Sequence, residues 1–232
     1  MKHYIIAFSG YSGVGKDECS GQLVRSYNAI HTGLADPGKR HMADTYGWTE
    51  EQLFGPSHFR NVGDMKYPKF EEILPGVEEG DPKYYLSPRE ALQKYMGLMN
   101  DLYPNTWIQK GVYIHHQLGI GDCLYTRMGG LKISYSVIKR NEPGKIFTTF
   151  SDFRHKNEIS YLRKHGPDSP AKVETIPIIV RVKRPSIPNP PYDHRSEVEQ
   201  STIPDSEFDF VINNDSTLEE LYRKVDGIVS SL

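Results

Sequence analysis

Short apolar runs alternate with amphipathic segments along most of the chain. Residues 4–9 form an apolar run of β-forming residues that ends at a glycine, which predicts a buried strand. Apolar side chains then recur at helical spacing from about residue 15 to 29, so a helix is predicted directly after that strand. The same patterns predict further strands at about 30–35, 145–154, 175–184 and 208–214, and helices at about 88–102, 107–118, 155–166 and 216–232.

This order of elements predicts the fold class. Strands that alternate with helices are typical of an α/β protein with a mostly parallel sheet and helices on both faces, which makes three layers. The length of 232 residues suits a single domain spanning residues 1–232. An alternating stretch around Gly129 and Gly130 predicts a β-hairpin within an insertion at about 119–145.

Composition narrows the class of protein. Hydrophobic residues make up 37% and charged residues 25% of the chain, as in ordinary globular proteins. The net charge of −2 argues against a protein held to a nucleic acid polymer by bulk electrostatics. No apolar run is long enough to cross a bilayer, so no membrane partner is expected. Cys19 and Cys123 are too few for a disulfide framework, and we interpret them as reduced thiols of a cytoplasmic protein.

The strongest motif is GYSGVGKD at residues 10–17, which follows the first strand and opens the first helix. It matches the phosphate-binding loop pattern G-x-x-x-x-G-K, and we therefore expect the P-loop NTPase fold. Glycines let backbone amides curl around an anion, and the lysine reaches the β- and γ-phosphates of a nucleotide. The predicted ATP-binding residues of this loop are Ser12, Gly13, Val14, Gly15, Lys16, Asp17 and Glu18.

Asp17 stands where most such loops have a serine or threonine that binds Mg²⁺. Its carboxylate could bind the metal directly or through water, or orient the acceptor of the phosphoryl group. The alternative is an acidic residue that only stabilises the helix N-terminus.

The chain resembles the bacteriophage deoxynucleoside monophosphate kinases, a branch of the P-loop nucleotide kinases. Beyond the loop, the resemblance rests on LADPGKRHM, WTEEQLFGPSHFRN, FSDFRHKNE, DHRSEVE and FDFVINNDSTLEEL, and it covers nearly the whole chain except residues 119–145. It implies transfer of the γ-phosphoryl group of ATP to a deoxynucleoside monophosphate (dNMP), which gives dNDP and ADP. ATP and Mg²⁺ are the implied cofactors, the host cytoplasm is the implied location, and a homodimer is left open.

Phosphoryl transfer needs cations around the acceptor phosphate and the transferring group, and the resemblance suggests which residues supply them. We expect an acceptor-binding region at about 37–118 and a lid at about 184–205. Asp152, at the end of a predicted strand, is a candidate metal ligand together with Asp17. The catalytic candidates are Lys16, Asp17, Asp152, Arg154, Arg184 and Arg195; the acceptor-binding candidates are Asp36, Lys39, Arg60, Arg89, Gln93, Trp107 and Arg154; and Asn213 and Asn214 are candidates for holding adenine.

Two other functions remain open from the sequence. One is another small-metabolite P-loop kinase of the dephospho-coenzyme A or phosphomevalonate type. The other is a P-loop ATPase or switch that hydrolyses ATP without a small acceptor. The lid-like segment and the clustered arginines favour a kinase over the second alternative.

Overall fold

The computed structural model describes residues 2–69, 76, 78, 80–120, 125–126, 132–133, 144–168, 173–187 and 195–232. The chain divides into two compact units. The first unit comprises Met1–Leu34, Trp107–Tyr125 and Ile133–Leu232, and the second comprises Ala35–Thr106 and Thr126–Lys132. The predicted boundaries of an acceptor-binding region and a lid stay predictions.

The first unit is built on a five-stranded parallel sheet, which confirms the predicted α/β class. The strand order is β2-β5-β1-β6-β7, so the first strand lies at the centre with β5 and β6 on either side. Because all neighbours are parallel, the carboxyl ends of β1, β5 and β6 meet at one edge of the sheet. The strands are β1 (Lys2–Ser9), β2 (Ile30–His31), β5 (Lys145–Phe153), β6 (Glu174–Lys183) and β7 (Phe210–Asn213).

Helices cover both faces of this sheet. Tyr4, Ile6 and Phe8 of β1 belong to a buried cluster with Leu23 of the first helix and Val225 of the last. The residues between them in β1 point to the opposite face, as the period of a strand requires. The described helices of this unit are α1 (Lys16–Tyr27), α6 (Thr106–Ile120, whose first residue belongs to the second unit), α7 (Lys156–His165), α8 (Arg195–Thr202) and α9 (Leu218–Ser231).

A buried polar layer lies on this opposite face. Thr148 Oγ1 of β5 is 2.9 Å from His3 Nε2 and 2.7 Å from His115 Nδ1 of α6. His115 Nε2 is 2.6 Å from Thr32 Oγ1. Burial, and then the neighbouring His116, lower the pKa of His3 from 6.5 to about 3, so this imidazole is neutral at physiological pH.

The α-helices described in the second unit are α2 (Asp36–Tyr46), α3 (Glu50–Phe54), α4 (Ser57–Arg60) and α5 (Pro88–Leu102). Its small core gathers Met42, Trp48, Leu53 and Ala91. Trp48 Nε1 donates a 2.7 Å hydrogen bond to Asp64 Oδ2, which satisfies the buried indole. At the start of α3, Thr49 and Gln52 form a reciprocal capping box.

Three elements differ from or extend the sequence prediction. Strand β2 has only two residues rather than the six predicted, because the chain turns and begins α2 at Asp36. Residues 36–46 form one helix, which the pattern of apolar residues did not predict as a single element. Strands β3 (Tyr125–Thr126) and β4 (Lys132–Ile133) make a two-stranded sheet, and the predicted turn at 129–130 lies outside the described residues. Within the described part of the chain, none of the helices has the length and apolarity to span a membrane.

Candidate active site

The loop between β1 and α1 has the backbone of an anion-binding turn. Gly10, Gly13 and Gly15 all adopt positive φ angles, of 144°, 80° and 103°. A side chain at Gly10 would also place Cβ 2.3 Å from the carbonyl oxygen of Val182 in β6. Glycine is therefore required here both by the backbone angle and by the close approach of the neighbouring strand.

Lys16 lies at the first position of α1 and is 7% exposed. Its Nζ donates hydrogen bonds to the carbonyl oxygens of Gly10 at 2.8 Å and Tyr11 at 2.6 Å. The ammonium is thus held against its own loop by two backbone carbonyl groups. Gly15, the N-cap, has no side chain to cap the helix, and this leaves a helix N-terminus suited to an anion.

The charges around Lys16 identify the groups that share its site. Burial, and then the positive charge of Arg154, lower the pKa of Lys16 from 10.5 to about 8, while the carboxylates of Asp17, Glu197 and Asp152 act in the opposite direction. Two predicted acids and the predicted arginine are therefore within electrostatic range of the loop lysine. Perturbed ionisation of this kind is common at functional sites.

Asp17 and Asp152 approach this site from two elements. Asp17 is exposed in the first turn of α1. Asp152 is half-buried near the carboxyl end of β5, and its Oδ2 accepts a 2.7 Å hydrogen bond from the backbone amide of Leu34. No group of three or more His, Cys, Asp or Glu side chains is placed to hold a metal among the described residues. One or two carboxylates still fit Mg²⁺, which commonly takes its other ligands from waters and substrate phosphates.

Arg154 follows β5 and is fixed at both its backbone and its side chain. Its amide donates to Glu158 Oε2 at 2.7 Å, and its carbonyl oxygen accepts from Gln200 Nε2 at 2.5 Å. Glu158 also accepts from the amide of His155 at 2.8 Å, so this half-buried carboxylate caps α7. The Arg154 guanidinium donates from Nη1 to Glu197 Oε1 at 2.6 Å. An arginine anchored in this way can present a preorganised cation to a phosphoryl group.

Glu197 and Gln200 of α8 are site residues that sequence reasoning missed. They are 2% and 1% exposed, and Gln200 also bonds Ser9 Oγ at the end of β1. Glu197 Oε2 accepts a 3.1 Å hydrogen bond from the backbone amide of Ser12 in the phosphate-binding loop. The only available signal was the segment DHRSEVE, which carries Glu197 and was noted for the resemblance without a role.

The adenine candidates Asn213 and Asn214 lie at the end of β7 and directly after it. Asn214 Nδ2 donates to the carbonyl oxygen of Val14 at 2.9 Å, which ties this side chain to the phosphate-binding loop itself. The carbonyl oxygen of Asn213 accepts from Lys224 Nζ at 2.6 Å. Glu18 lies on the exposed side of α1, where its carboxylate accepts a 2.8 Å hydrogen bond from Tyr222 Oη. A contact of these residues with adenine stays a prediction.

The basic residues of the lid segment have different environments. Arg184 is exposed, and the side chain of Arg195 lies outside the described residues. Arg181 of β6 is 7% exposed and donates to Asp205 Oδ1 at 3.0 Å and to the carbonyl oxygen of Gln200 at 2.8 Å. Arg181 therefore braces the segment after α8.

In the second unit, Arg60 and Arg89 converge on one hydroxyl group. Their Nη2 atoms lie 3.3 Å and 3.2 Å from Ser57 Oγ. Asp36 Oδ1 is 3.5 Å from Lys39 Nζ, which also lies 4.4 Å from the centre of the Phe54 ring. Two guanidinium groups this close form a concentration of positive charge that suits an anionic ligand.

The two acceptor-base candidates are placed differently. Gln93 is exposed on α5 of the second unit. Trp107 is 7% exposed in α6 of the first unit, among the buried hydrophobic residues. The proposed stacking of Trp107 on a base stays a prediction.

No model of a known protein family matches the chain. The chain is 22% identical over 231 residues to a protein of Acanthamoeba polyphaga mimivirus named "Putative deoxynucleotide monophosphate kinase", and the match covers 98% of this chain and 96% of the relative. Among solved structures the chain is similar to shikimate kinase from Aquifex aeolicus, with 10% identity and a TM-score of 0.41 over 98% of this chain and 96% of that one. It is also similar to a "putative kinase" from Chloroflexus aurantiacus, with 11% identity and a TM-score of 0.42 over 99% of this chain and 97% of that one. Over nearly its full length, this chain thus resembles a protein that is named for the same class of kinase as the motifs of this chain indicated.

Proposed function

We propose that this protein is a deoxynucleoside monophosphate kinase that moves the γ-phosphoryl group of ATP to a dNMP. The observation that carries the proposal is the convergence of Lys16, Asp152 and Arg154 beside the glycine loop at the carboxyl edge of the parallel sheet. In open α/β sheets, ligands bind at this edge. The near-full-length similarity to the mimivirus protein supports the nucleotide as acceptor.

Each charged group has a role in such a reaction. The loop amides and the Lys16 ammonium hold the β- and γ-phosphates of ATP. The Arg154 guanidinium stabilises the negative charge that spreads over the transferring group. Asp17 and Asp152 are the residues that would hold Mg²⁺, which when bound neutralises phosphate charge during transfer.

The acceptor phosphate needs cations but little base catalysis. The second pKa of a phosphate monoester is about 6, so its oxygen is already a nucleophile at neutral pH. Arg60 and Arg89 are proposed to bind this phosphate, because their guanidinium groups already meet at Ser57 Oγ.

The proposal is tested by a coupled ADP-release assay with ATP, Mg²⁺ and each common dNMP and NMP in turn. We expect ADP release to depend on a dNMP and to be lost in Arg154→Ala. Arg223→Ala is the matched control, because Arg223 is exposed on α9 and pairs with Glu220. ADP release of equal rate without any acceptor would indicate an ATPase instead, and stimulation only by dephospho-coenzyme A or phosphomevalonate would indicate the other kinase class.

A further inference from the structure

Helix α8 places a carboxylate directly against the phosphate-binding loop. Glu197 Oε2 accepts a hydrogen bond from the amide of Ser12 at 3.1 Å, and Oε1 accepts from Arg154 Nη1 at 2.6 Å. The residue is 2% exposed, so the charge is removed from water. A buried carboxylate is costly unless each oxygen has a donor, and here both oxygens have one.

The two donors are the kinds of group that grip a phosphate. One is a backbone amide of the glycine loop, and the other is the guanidinium proposed to stabilise the transferring group. The Glu197 charge also raises the pKa of Lys16, the third cationic partner of the proposed nucleotide. A carboxylate and a phosphoryl group both offer anionic oxygens to such donors, so Glu197 satisfies the site in the way that a phosphate would.

We infer that Glu197 is an internal phosphate mimic that occupies the phosphate site of the nucleotide-free protein and is displaced when ATP binds. The inference rests on the proposed function. Binding of the terminal phosphates transfers the Ser12 amide and the Arg154 guanidinium from the Glu197 carboxylate to phosphoryl oxygens. Two anions cannot share these donors at low cost, because like charges in a poorly solvated site repel strongly.

The rest of α8 has its own attachments to the residues between β5 and the first turn of α7. Gln200 Nε2 bonds the Arg154 carbonyl oxygen, and Glu199 accepts from His155 Nδ1 and from the Lys156 amide, both at 2.8 Å. These contacts do not involve the phosphate-binding loop. Loss of the Glu197 contacts therefore releases one corner of the helix while the helix remains attached.

An internal competitor lowers the apparent affinity for ATP. The dissociation constant rises in inverse proportion to the fraction of molecules whose site is open. Glu197→Gln keeps the shape of the side chain but removes the charge, and charge-assisted hydrogen bonds are roughly twice as strong as neutral ones. We expect this variant to bind ATP about tenfold more tightly, as suits the loss of one charge-assisted contact.

Titration calorimetry of the full chain tests the inference, with Mg²⁺-ATP and with inorganic tripolyphosphate as a probe that lacks adenosine. Glu197→Gln and Glu197→Ala should both bind either ligand more tightly than the wild type, by about tenfold for Gln. Glu199→Gln is the matched control, since it loosens the same helix without touching the loop, and it should bind as the wild type does. Thermal melts of each variant establish that it is folded.

The outcomes separate this inference from the proposed function. Unchanged or weaker ATP binding by both Glu197 variants overturns the inference and leaves the kinase proposal standing, with Glu197 then a positioning residue for Arg154. Tighter ATP binding by the Glu197 variants supports the inference. If no dNMP accepts phosphate from ATP, the kinase proposal fails, but tighter ATP binding by these variants still supports the inference. Tighter binding by Glu199→Gln as well would also overturn it, because general loosening of α8 would then explain the effect.

Discussion

The ionisation of Lys16 should make ATP binding depend on pH. Burial and the nearby Arg154 lower its pKa from 10.5 to about 8. The ammonium is therefore about nine-tenths protonated at pH 7 and about one-tenth protonated at pH 9. The triphosphate of ATP adds negative charge beside Nζ, and this raises the pKa again in the complex.

The size of the effect follows from these values. The pKa of Lys16 lies below the ordinary value of 10.5, at about 8. At about 1.36 kcal/mol per pH unit, protonating Lys16 in the free protein is therefore about 3 kcal/mol less favourable than protonating an exposed lysine. If the bound phosphates restore the pKa to near its ordinary value, ATP binding above pH 8 takes up a proton. Apparent affinity should then fall about tenfold between pH 7 and pH 9, because the protonated fraction falls by that factor.

Calorimetry at pH 7, 8 and 9 measures the ATP affinity. Repeating it in two buffers of different ionisation enthalpy, at constant Mg²⁺ and ionic strength, also measures the proton uptake. The control is Lys16→Arg, because a guanidinium stays charged throughout this range. Its ATP affinity should be flat with pH. A flat wild-type affinity, or an equal fall in Lys16→Arg, would refute the assignment of this lysine as the titrating phosphate ligand.

Three further predictions concern the loop and the fold. Gly10→Ala would place an alanine at a φ of 144°, with its Cβ 2.3 Å from the Val182 carbonyl oxygen. Urea unfolding should therefore show a free energy of unfolding lower by at least about 2 kcal/mol, and an unchanged midpoint would contradict this. Asn214→Ala removes the hydrogen bond to the Val14 carbonyl oxygen, and calorimetry should show ATP binding about fivefold weaker, whereas wild-type affinity would show that this bond does not order the loop. His3 gains its proton near pH 3 in the folded protein but near pH 6.5 in the unfolded chain, so the free energy of unfolding falls as the pH drops below 6.5. Urea titrations should show that the wild type loses about 2 kcal/mol at pH 5 and that His3→Asn lacks this loss. Equal losses in both proteins would refute the prediction.

The part of the fold that depends on local pattern could be read from the sequence. The central strand, the glycine loop and the first helix are adjacent in the chain, and each is specified by its own residues. Helix α2 was harder to predict, because proline and glycine at residues 37 and 38 are usual signs of a turn. Here the proline occupies the first turn of the helix, where its missing amide hydrogen costs nothing.

The candidate site was predictable only in part. Lys16 comes shortly after the first predicted strand, and Asp152 and Arg154 lie at the end of another. Parallel strands bring their carboxyl ends to one edge, so the proximity of these residues could be anticipated. The Ser12–Glu197 contact joins residues 185 positions apart, and no local pattern indicates it. Sequence pattern likewise did not indicate the hydrogen bond between Asn214 and Val14, which are 200 positions apart. This bond shows that Asn214, a candidate for holding adenine, also supports the phosphate-binding loop.

The central claim is that a phosphoryl group passes from ATP to a small nucleotide acceptor. Ion-pair chromatography of reactions with Mg²⁺-ATP and one dNMP at a time, run beside an assay for inorganic phosphate, measures this directly, because dNDP and ADP elute separately. We expect dNDP and ADP to accumulate in equal amounts for at least one dNMP, and neither to form with Lys16→Ala. Inorganic phosphate appearing in step with ADP, with no dNDP from any acceptor, would contradict the account.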